Sequence, residues 1–261
     1  MSLITVDKER CVKDGVCIAV CGSLTLRTND EGYPEETPGR MCIQCGHCVA
    51  ACACDALTHS GLPQEKLLPV AKTLPEPALL DSFLNSRRSV REFKEQPVPR
   101  ETMEALLDVA RRAPTAGNQQ KLHWIVVSGM AKIHALSEEA INWVRAAQDP
   151  LGVVALWDDK GYDFVLRAAP TVVVVCTPAD WEWGKEDGAI ALTFLELAAE
   201  ARGLGVCWAG FLGRVAAAHA PMRRLLQIPE GYVMQGGLML GEPKYKYQYV
   251  PPRKPLSAQW L

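Results

Sequence analysis

The ten cysteines of this 261-residue chain are distributed very unevenly. Eight of them lie within the first 54 residues, and only Cys176 and Cys207 lie in the rest of the chain. The first residues contain no apolar segment of the signal-peptide type, so we expect a cytoplasmic protein whose thiols stay reduced. Clustered thiols in that setting usually bind metal, and the cysteines therefore predict a metal-binding N-terminal region followed by a larger region of different character.

Four of the early cysteines follow the spacing Cys42-x2-Cys45-x2-Cys48-x3-Cys52. This spacing is typical of iron–sulfur proteins of the bacterial ferredoxin type, in which three close thiolates bind one cluster and the fourth binds the other cluster. Zinc sites usually use two separated pairs of ligands, so zinc or plain buried cysteines are the poorer interpretations. The run therefore predicts iron–sulfur chemistry.

An incomplete copy of this run lies 31 residues upstream. The offset aligns three pairs of cysteines: Cys11 with Cys42, Cys17 with Cys48, and Cys21 with Cys52. Asp14 stands where the copy lacks its second cysteine. The exchange of fourth ligands between clusters predicts two ligand sets. The complete 4Fe-4S set is Cys21, Cys42, Cys45 and Cys48, and the other is Cys11, Cys17, Cys52 and, as a candidate oxygen ligand, Asp14.

Asp14 leaves several interpretations open, because a carboxylate binds iron–sulfur clusters less firmly than a thiolate. The second site could hold a 4Fe-4S cluster with Asp14 or an outside ligand at one iron, or a 3Fe-4S cluster with Asp14 unliganded. Cys54 could replace it after a small shift of the loop. Asp14 could also be only a turn residue before Gly15.

Residues 5–58 as a whole resemble the two-cluster bacterial-type ferredoxins. The resemblance implies one-electron transfer without substrate chemistry, so this module should exchange electrons with something else in the protein. We expect a ferredoxin-like domain at 1–60. A linker is expected at 61–78, where Pro63, Pro69, Pro75 and Pro77 favour extended chain.

The region from 79 to 261 mixes helical and strand patterns without regular βαβ repetition, which indicates an α+β domain. Helices are predicted at about 78–86, 99–112, 130–148, 187–202 and 214–227. Strands are predicted at 122–128, 171–176, 206–209 and 232–240.

Charge and known motifs exclude several classes of function. The formal charge of −2 gives no strong field for nucleic acid. The longest apolar run is too short to cross a membrane. Dinucleotide-binding and phosphate-binding glycine motifs, a histidine metal pair and a serine-hydrolase elbow are all missing. Classical dehydrogenase, nucleotide hydrolase, zinc protease and serine hydrolase activities therefore have no support.

Two segments suggest a ligand site. Residues 86–93 place three arginines and two serines together, a combination that suits a phosphate, although a solvated basic helix end explains it equally well. Residues 113–120 combine small residues with Asn118 and Gln120, which could approach and recognise a flat ring. An ordinary loop between a helix and a strand is the alternative.

Four motifs occur in the order found in the FMN-dependent nitroreductase family, and residues 80–261 resemble that family. The motifs are Arg87 to Phe93, Pro114 to Gln120, Gly203 to Trp208, and Gly241-Glu242-Pro243 followed by Arg253-Lys254. The resemblance implies a sandwich with a central, mostly antiparallel sheet. It also implies a homodimer that holds FMN non-covalently at the subunit interface.

Carried over to this sequence, the resemblance assigns the following flavin contacts. The phosphate would be held by Arg87, Ser89 and Arg253 or Lys254, and Arg88 is a further cofactor-binding residue. Arg91 and Asn118 would contact the ring edge. The ring would lie against Pro114, Thr115, Ala116, Gln120 and Trp208, with the backbone of Ala209 and Gly210 near N5. Many relatives have an acidic residue where Ala209 stands, so only the backbone role is carried over there.

The combination predicts an oxidoreductase in which electrons pass through the clusters to FMN and then to an electron-poor small molecule. A nitroaromatic, a quinone or an activated alkene would qualify, and a ferredoxin or a reductase is the expected type of donor. Two alternatives stay open: a redox-sensing or flavin-storage protein without dedicated turnover, and flavin-modifying or dehalogenating chemistry. We expect no partner of nucleic acid or membrane type.

Overall fold

The structure is a computed structural model that describes residues 2–147, 149 and 151–261. The chain divides into two compact units. The first comprises Met1–Leu74 together with Gly117–Gln119, and the second comprises Pro75–Ala116 and Gln120–Leu261. Among the described residues, none of the helices combines the length and the apolar character that a membrane span needs.

The first unit is built from very short elements. Strand β1 (Ile4–Val6) pairs antiparallel with β4 (Leu57–His59), and β2 (Leu26–Thr28) pairs antiparallel with β3 (Pro34–Glu36). Helices α1 (Val16–Ala19) and α2 (His47–Ala50) have four residues each. A single 3₁₀ turn at Gln64–Lys66 follows in the proline-containing segment.

The second unit contains seven helices among the described residues. They are α3 (Pro77–Ser86), α4 (Arg100–Ala110), α5 (Met130–Arg145), α6 (Val153–Lys160), α7 (Gly184–Glu200), α8 (Gly210–Ala218) and α9 (Ala220–Leu225). Its strands are β5 (His123–Ser128), β6 (Thr171–Pro178), β7 (Gly205–Trp208) and β8 (Tyr232–Gly241), and a 3₁₀ turn spans Ala116–Asn118. The four strands form an antiparallel sheet in the order β5-β6-β8-β7. A single parallel bridge joins Ser89 to Val206, so the sheet is mostly antiparallel, as predicted.

Strand β6 separates the two layers of the hydrophobic core. Its β-branched residues alternate between the faces of the sheet, as a strand requires. Val172 and Val174 pack with helices α5, α8 and α9, whereas Val173 and Val175 pack with α4 and α7. Because both faces are covered, every residue of β6 except Pro178 is buried, which explains why the strand reads as a continuous apolar run.

Helix α7 approaches the sheet closely at two glycines. A Cβ added at Gly184 would lie 2.3 Å from Thr177 Oγ1, and one added at Gly188 would lie 2.8 Å from the Gln235 Cβ. Only glycine permits this distance, and the approach brings the acidic side chains of α7 close to the segment around Arg87.

Three helical regions differ between the prediction and the structure. The single helix predicted over 214–227 is wrong: His219 adopts an extended conformation between α8 and α9, and Pro221 lies in the first turn of α9, where a proline is favoured. Helix α6 was not predicted at all. The predicted helix at 130–148 ends at Arg145, and its predicted last residue, Gln148, lies outside the described residues.

Candidate functional site

The four thiols of the predicted complete cluster line one cavity in the first unit. Cys21, Cys42, Cys45 and Cys48 surround it together with Leu3, Ile4, Leu26 and His59. Nearby Cys21, Cys42 and Cys45 add to the effect of burial in raising the pKa of Cys48. Burial and mutual repulsion of this kind are relieved when thiolates bind a cationic centre, so these residues fit an iron–sulfur cluster.

The backbone around the thiols repeats with the offset of 31 residues. Three pairs of residues at this offset share the left-handed conformation: Lys13 and Gln44, Gly15 and Gly46, Leu24 and Asp55. The amide of Thr25 donates to Cys21 Sγ at 3.3 Å, and that of Ala56 donates to Cys52 Sγ at 3.2 Å. The duplication inferred from the cysteines is therefore a duplication of the loop geometry, which aims backbone donors at sulfur in both halves.

The second group of thiols gathers around Cys17. The pKa of this buried thiol is raised by burial and further by the nearby Cys52, Asp14 and Cys11. Asp14 Oδ1 accepts a hydrogen bond of 3.1 Å from the amide of Val16, so this carboxylate caps the loop in the manner of a turn residue. The four residues predicted for the second site are thus neighbours, and Asp14 also has a structural partner.

Cys54 lies beside this second group, with its Sγ 3.8 Å from Cys52 Sγ. Among the described residues, no three histidine, cysteine or acidic side chains converge as the ligands of a single metal ion would.

In the second unit, the arginine-rich segment lies alongside strand β7. The amide of Val90 donates to Val206 O at 2.9 Å, and the close approach of Val90 requires glycine at Gly205. Ser89 bridges to Val206 in parallel register, and Arg91 Nη1 donates to Ser89 O at 3.3 Å. Three of the predicted cofactor-binding side chains, Arg87, Arg88 and Ser89, are therefore held on consecutive residues of one fixed segment.

Arg88 has two buried donors without a partner. Its Nη1 donates to Arg87 O, whereas Nε and Nη2 are buried and form no hydrogen bond. Buried polar groups are normally paired, and an unpaired guanidinium is particularly unfavourable. An anion such as a phosphate would satisfy these two donors, so the segment fits the phosphate end of a flavin mononucleotide.

Arg87 is bound to an acidic residue that the sequence did not single out. Its Nη1 donates to Glu196 Oε1 at 2.8 Å, and the Glu196 side chain is only 7% exposed. One turn further along α7, burial raises the pKa of Glu200, and its Oε2 is buried without a partner. The periodicity of α7 placed these glutamates on the helix, but no local signal paired them with arginines more than 100 residues away.

The loop from Pro114 to Gln120 is held in place by a second carboxylate that the sequence did not predict. Asp187 is 2% exposed and accepts hydrogen bonds of 2.9 Å from the amide of Ala116 and from Trp181 Nε1. Thr115 Oγ1 accepts a hydrogen bond of 3.0 Å from the amide of Gln120, which closes the loop on itself.

Asn118, together with its neighbours Gly117 and Gln119, groups with the first unit. Its side-chain amide donates to the backbone carbonyls of Ile43 at 3.1 Å and Gln44 at 3.0 Å. The Asn118 side chain, which the family resemblance assigns to the edge of the flavin ring, therefore donates hydrogen bonds to backbone carbonyls in this structure.

The end of strand β7 supplies the backbone predicted to lie near the ring. The amide of Ala209 donates to Gly237 O at 2.8 Å, and helix α8 begins at Gly210. Trp208 is partly exposed, while Cys207 is buried. Burial raises the pKa of Cys207, although the nearby Arg91 and Arg167 and a hydrogen bond from Ser89 oppose that effect. Arg167 is thus a further cation beside this segment, one that sequence patterns did not identify.

The C-terminal segment contributes to the same region before it leaves the core. The amides of Lys94 and Lys244 exchange hydrogen bonds with Glu242 O and Glu92 O, which brings Tyr245, Lys246 and Tyr247 against Arg91. Arg253 and Lys254, the predicted phosphate contacts, lie further along in exposed chain without regular structure. The structure therefore gathers Arg87, Arg88, Ser89 and Arg91, and it shows no contact between this group and Arg253 or Lys254.

Both regions of the chain match families of known proteins. Residues 84–242 match the model of the Nitroreductase family, and residues 3–53 match that of the 4Fe-4S dicluster domain. A protein of Archaeoglobus fulgidus, named as a candidate NADH dehydrogenase/NAD(P)H nitroreductase, is 29% identical over 167 residues, which cover 62% of this chain and 84% of the relative. A protein of Methanothermobacter thermautotrophicus with the same name is 26% identical over 164 residues, covering 61% of this chain and 75% of that relative.

A solved structure shares the fold of the second region. The nitroreductase from Bacteroides fragilis, crystallised with bound FMN, superposes with a TM-score of 0.58 at 25% identity, and the match covers 70% of this chain and 96% of that one.

Proposed function

We propose, from the premise that this chain belongs to the nitroreductase family and carries a 4Fe-4S dicluster domain, that it is an FMN-dependent oxidoreductase. Electrons enter through the clusters, and an electron-poor small molecule such as a nitroaromatic, a quinone or an activated alkene is reduced. The observation that carries the proposal is the pair of buried, unpartnered Arg88 donors in the same chain as a cavity lined by four thiols. When bound, FMN supplies exchange of one or two electrons, and the clusters supply one-electron transfer.

The protein's part at the flavin is to bind and orient it. Arg88 Nε and Nη2 would donate to the phosphate, with Arg87 and Ser89 beside them on the same segment. In a second copy of the chain, Arg253 or Lys254 would complete the site, because the family forms its flavin site between subunits. We therefore include a homodimer in the proposal.

The ring would be held from both sides. Arg91 is close enough to Cys207 to affect its pKa, so its charge lies at the end of β7, next to Ala209 and Gly210. A cation there would favour a negatively charged reduced ring. Trp208 and the loop residues Pro114, Thr115, Ala116, Asn118 and Gln120 would form the walls that exclude water.

The two clusters are assigned different ligands. Cys21, Cys42, Cys45 and Cys48, which line one cavity, would hold a 4Fe-4S cluster. Cys11, Cys17 and Cys52 would hold the other as a 4Fe-4S or 3Fe-4S cluster. The bond from Val16 to Asp14 supports a structural role for this carboxylate and leaves iron ligation by Asp14 as the second possibility.

The proposal also assigns domains. Residues 1–60 would be the electron-transfer domain, 61–78 the linker and 79–261 the flavin domain. A ferredoxin or a reductase would serve as the external donor.

Anaerobically purified protein tests the proposal. We expect two iron–sulfur clusters and one FMN per chain by iron, sulfide and flavin analysis, and flavin reduction within a turnover time after photoreduction of the clusters. Steady turnover should follow with a nitroaromatic, a quinone or an activated alkene. Cys48→Ser should abolish photoreduction of the flavin, whereas Cys176→Ala, a change in the core outside both sites, should not. Cluster reduction that never reaches the flavin, or reduced flavin that turns over none of the three acceptors, would overturn the proposal.

A further inference from the structure

Two glutamates of helix α7 face the arginines of the proposed phosphate site. Glu196 and Glu200 are one turn apart and therefore lie on the same side of the helix. Glu196 forms an ion pair with Arg87 at 2.8 Å. Among the described residues Glu200 forms no ion pair, but the nearby charges of Arg87 and Arg88 lower its pKa against the larger effect of burial. The neighbouring α7 residues Leu192, Leu195 and Ala199 are buried in the core, so the position of Glu196 is set by the core rather than by a surface loop.

The geometry of the Arg87–Glu196 pair limits where the guanidinium can point. An arginine side chain has many rotamers, and a partly exposed one would sample them freely. Arg87 is one-quarter exposed, but its Nη1 is tied to a carboxylate that is almost fully buried. A buried charge without its partner is strongly unfavourable, so the pair keeps its geometry.

We propose that Glu196 is a positioning residue for flavin phosphate: it holds the Arg87 guanidinium in the orientation in which its remaining donors meet the phosphate. Glu196 itself touches no part of the flavin. This inference rests on the proposed function, because it presumes that Arg87 and Arg88 bind FMN. The carboxylate of Glu196 then strengthens phosphate binding although both groups are negative. The gain from fixing the Arg87 guanidinium outweighs the repulsion between carboxylate and phosphate.

The test compares FMN with riboflavin, which lacks the phosphate, on flavin-stripped full-length protein that retains its clusters. Quenching of flavin fluorescence gives both dissociation constants. We expect Glu196→Ala to weaken FMN binding about tenfold and riboflavin binding less than twofold. Glu196→Gln keeps the acceptor oxygen and should stay within about threefold of the unchanged protein for FMN. Glu186→Ala, an exposed position on the same helix, is the matched control and should change neither constant.

A second variant covers the case in which the alanine protein fails to fold. Glu196→Asp keeps the charge but is one methylene too short for the 2.8 Å bond, so it should also weaken FMN more than riboflavin. Equal losses of affinity for both flavins would assign Glu196 a general structural role. Unchanged or tighter FMN binding in the alanine or aspartate variant would show that the Glu196 carboxylate only repels the phosphate. Either result overturns the inference. If the unchanged protein binds no FMN, the proposed function itself fails. FMN binding with an unaltered FMN-to-riboflavin ratio in the variants sinks only the role of Glu196.

Discussion

The two compact units of this chain obtain their interiors from different kinds of side chain. In the first unit, among the described residues, one cluster of buried apolar side chains consists of Ile4, Cys17, Leu26, Val49 and Leu57, and cysteines of the predicted ligand sets pack around it. In the second unit, strands of up to ten residues and helices of up to 17 bury two layers of aliphatic side chains. The comparison indicates that the first unit depends on what its thiols bind, whereas the second can fold on apolar burial alone.

A cysteine of the second unit sharpens this contrast. Cys176 lies at the centre of the second unit, and burial raises its pKa to about 12. It therefore behaves as a small apolar residue. The early thiols, by contrast, accept hydrogen bonds from backbone amides that the left-handed residues orient. The same residue type thus serves as core in the second unit and is proposed as a cluster ligand in the first.

Among the tests of this comparison, removal of iron should produce the largest difference between the two units. After anaerobic chelation of the full-length protein, we expect amides in residues 1–60 to lose their protection from hydrogen exchange, because so small a cluster of buried apolar side chains cannot offset the conformational entropy that is lost when this region folds. Amides of β6 should stay protected. A sample incubated without chelator is the control. Protection of residues 1–60 that survives complete iron loss would show that the first unit does not need its clusters.

Replacing Asp187 should destabilise the second unit by an intermediate amount. Asp187→Ala leaves the buried amide of Ala116 and the indole N–H of Trp181 without an acceptor, which should lower the free energy of unfolding by about 2–4 kcal/mol. Tryptophan fluorescence during denaturant unfolding measures the change, while the visible absorption of the clusters should be unaltered.

The exposed Asp180, in the segment between β6 and α7, provides the control for this experiment. Asp180→Ala should change stability by less than about 0.5 kcal/mol. A loss equally small in Asp187→Ala would contradict the assigned role of the buried carboxylate.

A pH dependence at Glu200 is the smallest expected effect. Because burial raises the pKa of this carboxyl in the folded protein, its contribution to stability is greatest at low pH and is lost as pH rises through the folded pKa. Glu200→Gln removes that loss. The variant should therefore melt at a higher temperature than the unchanged protein at pH 8, with the difference shrinking towards pH 4.5. A difference that is constant over this range would exclude ionisation of Glu200 as its cause.

The elements of the second unit were predictable where local signals were strong. The β-branched run at β6 and the apolar periodicity of α4 identified a strand and a helix within two residues of their ends. The break at His219 was missed because the apolar pattern continues across it and only Pro221 interrupts the helix. Helix α6 was missed because it is short and its pattern is weak.

By itself, the sequence determined the cluster chemistry and the order of the flavin-site motifs, because both reside in residues that are neighbours along the chain. The spacing of Cys42, Cys45 and Cys48 is a local property, and so is the run of arginines around Ser89. The tertiary structure alone decided that Glu196 meets Arg87 and that Asp187 holds Ala116. These pairs join residues 109 and 71 positions apart, and their contact depends on how closely α7 packs on the sheet, which no local pattern specifies.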